Sequence, residues 1–533
     1  MDSNLLRIPW IPVKRLSGKK EIIAPWQITD NFQNDPIIGI ESPRPDFNGA
    51  LNQFLIGILQ TTWAPESEKA WRKILTKPPS PQELKDSFSK LEPYFNLLGN
   101  GPRFIQDFDL TDGAEQNVSN LLIESPGGNT EKNNADLFIK RGQATRQCPH
   151  CLGTALYCMQ INAPSGGVGH RTSLRGGGPL STIILANTLW ETVWANVLPK
   201  RDFEALAGNP QKTNPQDIFP WLAPCRTSEA KTGQATLPQD TNPLQMYWAT
   251  PRRIRIIDQE PEQGVCEICG RMSQHLTSAY QTKNYGVNYE GAWQHPLTPY
   301  TRDKKGMPIA RHPQPGGMVY RHWLGLVITD AEGNTRPAKV VQHFLNQRRF
   351  RLLQKPQGSH SPRLWCFGFD MDNMKARCWY ESTMPLVDID SQHMPLLEKN
   401  ISRLVRAADL AVWLLRTNLK KAWYKRPGDA KGDFSIIDQR FWQETESSFY
   451  EALEQAIQLV EEGRDTEDLR REWLRLLRNK ALEIFDSLSQ TGHFEAVEPR
   501  RVALARLDLG KALNATSKIG KILDLTNKKT KAA

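Results

Sequence analysis

From residue 390 onward the apolar positions repeat at spacings of three and four. Leu397, Ile401, Leu404, Ala408, Ala411, Leu415 and Leu419 mark one face of the segment 391–425, the signature of a helix that buries a single stripe. The sequence KRPGDAKGD breaks the pattern, and a second helix is predicted over 437–462 with Phe441, Phe449, Leu453, Ile457 and Val460 on its apolar side. Gly463 ends it and Asp465 can cap a third helix running through LREWLRLLRNKALEIFDSL. After Gly492 a fourth begins near Pro499, a residue suited to a first helical turn. Four antiparallel helices with short connections predict a four-helix bundle over 389–533, and the basic tail KIGKILDLTNKKTKAA is expected to fray.

Before residue 389 the texture differs. IPWIPV and EIIAPWQI have the proline-punctuated look of short edge strands. GALNQFLIGILQTT, residues 49–62, is continuously apolar and predicts a buried helix; residues 179–198 predict a strand or helix packed inside. Residues 200–245, rich in Pro, Asn, Gln, Thr and Asp, read as a long surface connection, and 246–257 return to strand character. The predicted class is α+β: a large mixed α/β N-terminal domain, 1–388, with a structural zinc knuckle site, followed by the C-terminal four-helix bundle, 389–533.

The zinc expectation rests on two Cys-x-x-Cys pairs, Cys148/Cys151 in CPHC and Cys266/Cys269 in CEIC. Each pair sits on one tight turn, and together they supply four soft ligands for a closed tetrahedral Zn2+ site. Gly270 eases the turn after the second pair. The pairs are more than a hundred residues apart, so a metal there staples distant segments. Two free or redox-active pairs are the alternative. His150 lies inside the first knuckle and can replace a cysteine, although four thiolates are simpler; Cys158, Cys225, Cys366 and Cys378 show no ligand spacing.

Composition narrows the functional class. The chain of 533 residues carries a net charge of +10 and a pI near 9.1, which favours a polyanionic partner. Its sixteen tryptophans imply extensive aromatic packing or stacking surfaces. No apolar run approaches the roughly 20 residues that span a bilayer, and the N-terminus lacks a signal-peptide pattern, so a soluble, cytoplasmic protein without membrane contact is expected. There is no phosphate-binding G-x-x-x-x-G-K-[ST], no H-E-x-x-H and no G-x-S-x-G. The carboxylate pairs Asp370/Asp372 and Asp388/Asp390 lack the companions of a two-metal nuclease. A non-enzymatic role is therefore expected.

After the first knuckle comes NAPSGGVGHRTSLRGGGPLSTI, with six glycines between Gly166 and Gly178. Bare backbone here can approach a phosphate or a minor groove, with His170, Arg171 and Arg175 adding positive charge. The alternative is a pair of tight turns beneath a sheet.

Taken in order, PWIPV at 9–13, CPHC, this glycine loop, ETVWANVLP at 191–199, WLAP at 221–224, MYWATP at 246–251, CEICG, GAWQHPLTP at 291–299 and the helical C-terminal region resemble the large subunit (CasA-type) of the type I-E CRISPR Cascade complex. The resemblance spans nearly the whole chain. It implies a non-catalytic subunit of an RNA-guided antiviral surveillance complex. Such a subunit reads the protospacer-adjacent motif (PAM) of double-stranded DNA from the minor groove, starts unwinding and R-loop formation with a wedge, and helps recruit the CRISPR helicase-nuclease. The implied partners are PAM duplex DNA, crRNA, other Cascade subunits and that helicase-nuclease. The implied glycine loop falls on Ser165, Gly166, Gly167, Val168 and Gly169; Ser165 and Val168 depart from the family's more nearly all-glycine loop. Counting from Cys269 to Trp293 places Asn284 at the family's lysine-finger position, with Lys283 beside it. The wedge segment aligns with CFGFDMDNMKARCW, 366–379, with Asp372, Asn373 and Met374 at the tip; Asn373 and Met374 stand where the family more often has glutamine. A loop at about 129–147 is implied to contact crRNA and the complex core through Phe138 and Lys140. A zinc-stabilised interaction scaffold without direct DNA contact is the competing reading.

Overall fold

The computed structural model describes residues 2–136, 141–330, 334–353, 361–372, 374–490 and 498–525. The chain divides into two compact units, Met1–Gln314 with Pro337–Leu386 and Pro315–Arg336 with Val387–Ala533.

The first unit is built around two buried helices, Pro45–Thr62 and Pro149–Asn162. The apolar run at 49–62 forms the first of them, and Phe54 on it is the hub of an aromatic core. Edge-to-face contacts join Phe54 to Trp10, Phe95, Phe104, Tyr157 and Trp248 at centroid distances of 5.2–6.2 Å. Trp10, Trp71, Trp190, Trp194, Trp221 and Trp248 are all fully buried. These tryptophans pack the interior and leave no stacking surface of their own.

Small antiparallel sheets surround this core. IPWIPV corrects the edge-strand expectation, because Ile11–Arg15 is the central strand between Lys20–Ile23 and Ile37–Ile40. Pro12 is tolerated there because the ladder asks it only to accept: its carbonyl takes the Glu41 N–H at 2.9 Å. Segment 179–198 is both predicted alternatives in turn, a strand Ser181–Leu185 and a helix Leu189–Ala195. EIIAPWQI divides into the strand Lys20–Ile23 and a 3-10 turn Pro25–Thr29. Within 246–257 the first residues are helical, Gln245–Trp248, and only Arg253–Ile256 is a strand. The 200–245 stretch is more than a surface connection, since Trp221 and Ser228 on it are buried.

One buried ion-pair cluster offers a test of this unit. Arg349 is fully buried, lies 3.6 Å over the Trp71 ring and donates to Glu68 at 2.7 Å, while His343 approaches the same carboxylate at 3.4 Å. Burial alone raises the Glu68 pKa, but hydrogen bonds with His343 and Arg349 and the Arg349 charge outweigh it and hold the carboxyl down to about 2. A depressed carboxylate contributes stability above its unfolded value, 4.5, and loses it as pH falls through the folded one. Glu68→Gln is therefore expected to lower the melting temperature at pH 7. The gap to the parent should narrow below pH 4.5 and close near pH 2. A gap independent of pH in thermal scans would refute this role.

In the second unit, helices Met394–Trp423, Ser435–Glu461, Glu467–Gln490 and Pro499–Ala512 follow the sequence pattern closely. All seven apolar positions read from the first helix are buried, and that helix packs against each of the other three. Tyr320 joins this core, stacking on Phe449 at 4.3 Å with its hydroxyl 2.9 Å from Thr445 Oγ1. The expectation of a frayed tail fails for its first half. Lys518–Ile522 is a short helix with Ile519 and Leu523 fully buried.

Candidate nucleic-acid interface and metal centre

Cys148 is the N-cap residue of helix Pro149–Asn162, which brings Cys151 one turn into the helix. Cys266 and Cys269 occupy the turn between strands Glu262–Val265 and Met272–Leu276, closed by the Gly270 N–H donating to the Cys266 carbonyl at 2.9 Å. Gln147 and Thr277 exchange two backbone hydrogen bonds, at 3.0 and 2.9 Å. Glu267 accepts from Thr145 N–H at 2.7 Å and from Arg146 at 3.1 Å. These contacts dock one knuckle on the other.

The four sulfurs lie within 4.8 Å of one another, with Cys148 and Cys269 at 3.8 Å. Four thiolates placed about 2.3 Å from one ion in a tetrahedron sit about 3.8 Å apart, so the donor set fits a metal ion. Hydrogen bonds from Cys148, Cys151 and Cys269 hold Cys266 far below its ordinary thiol pKa. Cys148, Cys266 and Cys269, together with burial, push Cys151 far up. Four sulfurs this close could hold one metal ion. Among the described residues this cluster contains cysteines alone, and His150 stands outside it.

The C-terminal end of the same helix launches the glycine loop. Ser165, Gly166, Gly167 and Val168 line an open groove of about 630 Å³ together with Asn284 and Met374. Residues separated by two hundred positions in sequence thus share one concavity. Gly169 stands just behind its wall with φ +76°; its carbonyl accepts from Tyr285 N–H at 2.8 Å. A Cβ on Gly169 would come within 3.0 Å of Asn284 Cβ, so glycine is required on both counts. Gly178 lies outside the groove: a Cβ there would meet the Phe369 carbonyl at 2.7 Å, so it packs the loop's far end against the hairpin strand. The glycine-rich stretch thus lines an open groove at its start and packs tightly at its end.

Of the three groups expected to add positive charge beside the loop, Arg175 and His170 do not present it. Arg175 is buried at 5% exposure, where its guanidinium donates to Gln53, Ser181 and Thr298 at 2.8–3.1 Å and burial lowers its pKa to about 10. Burial and the neighbouring Arg252 guanidinium depress His170. Arg171 is bonded to Ser228. Among the described lining residues, Arg252 is the one permanent cation and Glu131 the one carboxylate. The remaining polar lining is neutral, including Gln116, Asn120, Thr282 and Asn284. This surface is suited to hydrogen bonding and close backbone approach more than to phosphate attraction.

Asn284 and Lys283 part company here. Lys283 Nζ pairs with Asp112 at 2.7 Å and is absent from the described groove lining, whereas Asn284 is exposed and lines it. The hairpin arm consists of Arg363–Asp372 and Lys375–Pro385, paired from Arg363 opposite Pro385 to Asp372 opposite Lys375 with a register shift between Asp370 and Met371. Asp370, 2% exposed, receives Arg377 at 2.6 and 3.0 Å and braces the arm. Met374 at the tip is 56% exposed. Asn373, Phe138 and Lys140 lie outside the described residues. The sequence reading missed Arg252 and Ser228, which carry no motif. Arg252 donates to the Pro164 carbonyl at the loop's entrance. The nearest signal is the strand character of 246–257, where Arg253–Ile256 forms a strand and Ile254 lines the groove.

Several solved structures share this fold over almost the whole chain. Thermobifida fusca Cse1 matches with a TM-score of 0.70 at 16% identity, covering 98% of each chain. Thermus thermophilus CasA matches with a TM-score of 0.68 at 17% identity, covering 96% of this chain and 99% of that one. A chain of a structure described as a CRISPR RNA-guided surveillance complex matches with a TM-score of 0.64 at 17% identity, covering 96% and 99%. The family model for CRISPR-associated protein Cse1 matches residues 4–484, and the chain belongs to that family, the CasA-type large subunits. Among the described residues no helix is long and apolar enough to cross a membrane.

Proposed function

We propose that this protein is the non-catalytic, cytoplasmic large subunit of a type I-E RNA-guided surveillance complex. In this reading it works with crRNA and the other Cascade subunits, recognises the PAM of double-stranded DNA through the minor groove and starts unwinding. It also helps recruit the helicase-nuclease. The observation that carries the reading is the convergence of Ser165–Val168, Asn284 and Met374 on one groove. Backbone free of side chains enters a minor groove about 6 Å wide, and an amide beside it can donate to or accept from base edges. The reading elements and the metal lie within 1–388, and 389–533 supply the long helices of the second domain. The metal is zinc, held by Cys148, Cys151, Cys266 and Cys269. Asn284 makes the finger contact, with Lys283 supporting it through Asp112. The contact with crRNA and the complex core is assigned to Phe138 and Lys140.

A Cβ at Gly167 meets nothing within 4 Å, so Gly167→Asp is expected to fold normally. Its carboxylate would meet the electronegative floor of the minor groove. Binding of PAM-bearing duplex by the assembled complex should weaken by about 1–3 kcal/mol, with binding to PAM-less duplex unchanged. Equal binding of variant and parent to PAM duplex would favour a scaffold without DNA contact.

A further inference from the structure

Ser228 lies on the stretch read from sequence as a surface connection, yet it is only 8% exposed and ties together two walls of the groove. Arg171, two residues past the glycine loop, donates from Nε to Ser228 Oγ at 2.8 Å and from Nη2 to the Ser228 carbonyl at 3.0 Å. The Ser228 hydroxyl donates onward to the Gly286 carbonyl at 2.7 Å, and its N–H donates to the Tyr285 carbonyl at 3.2 Å. Tyr285 N–H returns to the Gly169 carbonyl at 2.8 Å. Five hydrogen bonds thereby close a ring through the loop's exit, the 228 segment and the turn that carries Asn284.

We propose that Arg171 and Ser228 form a positioning clasp that fixes the spacing between the glycine loop and Asn284, and through it the discrimination of one DNA sequence from another. The inference rests on the PAM-reading function proposed above. Hydrogen-bond readout fails when donors stray from about 2.7–3.2 Å, and a loop with three glycines in five residues has much conformational freedom to lose. A serine hydroxyl suits the central position because it accepts from one partner while donating to another. The forked guanidinium suits Arg171 because it makes two bonds at once, which a lysine ammonium on a flexible stem cannot reproduce. Arg171 is thus a positioning residue and not a phosphate contact.

The test uses the full chain assembled with guide RNA and the other subunits, and compares Arg171→Lys, Ser228→Ala and their combination with the parent. The readout is the ratio of affinities for PAM and PAM-mutated duplexes across a salt series. The clasp predicts that each single variant lowers the ratio about 5- to 10-fold, that the double variant is no worse than the worse single, and that the salt slope is unchanged. Hydrogen exchange on the isolated full chain should show faster exchange at the Tyr285 amide in both single variants, with zinc content and melting temperature near the parent's. A parent-like ratio for Arg171→Lys would overturn the clasp. So would additive singles, unaltered Tyr285 exchange, or an Arg171→Gln variant whose salt slope falls by about one, the mark of a lost phosphate contact. Gly167→Asp separates the two levels. If it abolishes discrimination while the clasp variants do not, the clasp alone fails; if it too leaves discrimination intact, the PAM-reading function fails with it.

Discussion

Cys151→Ser is expected to strip the metal from the protein and collapse much of its stability. Cys151 is 6% exposed in the first turn of helix Pro149–Asn162, and the serine oxygen is a poor substitute for a soft thiolate. Structural zinc contributes about 10–16 kcal/mol of apparent folding free energy in zinc-finger peptides, against a total stability of about 5–15 kcal/mol for a typical domain. Retaining three ligands preserves part of the binding, so a loss of several kcal/mol is the expected scale. The parent should carry one zinc per chain by elemental analysis, and the variant far less, with a large drop in melting temperature. Cys378→Ser provides the control, because Cys378 is exposed and stands outside the cluster. Zinc-free parent protein that is folded, or a variant melting with the parent, would remove the metal from the account.

The combined substitution Asn373→Ala and Met374→Ala is expected to slow R-loop formation on intact duplex by about 10- to 100-fold, since unstacking a base step costs a few kcal/mol that an inserted side chain offsets. The hairpin is equipped to bear that load. Its first strand is flanked on one side by Ser181–Leu185 and on the other by Lys375–Pro385. Phe367 and Phe369 pack on Trp379 at 5.5 and 4.9 Å, and the Asp370–Arg377 pair braces the arm below the tip. Substituting the tip leaves these contacts in place, so PAM affinity should change little. A target already unpaired beside the PAM should restore the rate. Equal defects on both substrates would mean that the tip contributes to affinity or folding and does not open the duplex.

Legibility in the sequence followed the range of the interactions. The helical region was readable because a helix repeats its contacts every three or four residues, and Leu397 through Leu419 fell on one face as spaced. The cysteine pairs were readable because each is a local motif; their juxtaposition needed only the assumption of a shared ion. The groove was another matter. Nothing in periodicity brings Met374 to Gly167, and that pairing came from family resemblance alone. Arg175 was misjudged because a charged residue beside glycines looks solvated until its partners Gln53 and Thr298, over a hundred residues away in either direction, surround it. Ser228 was invisible for the same reason: it bonds to Arg171 and Gly286, each more than fifty residues distant. The tail misled in the opposite sense, because its lysines mask the spacing of Ile519 and Leu523, which are the residues that anchor it.

The cysteine cluster also sets where this protein can change over evolutionary time. One arm leaves it as the 14-residue helix Pro149–Asn162 and ends at the glycine loop; the other leaves as strands Met272–Leu276 and Ala279–Lys283 and ends at Asn284. The two arms form a caliper pivoting on the four sulfurs, and the gap at its jaws depends on the arms' own lengths. Outside the Ser228 clasp, the exposed chain between the arms can therefore lengthen or shorten without altering that gap, whereas one residue inserted in either arm would shift a jaw. Length variation among relatives should accumulate in the stretch around 205–220 and be nearly absent from 149–169 and 266–286.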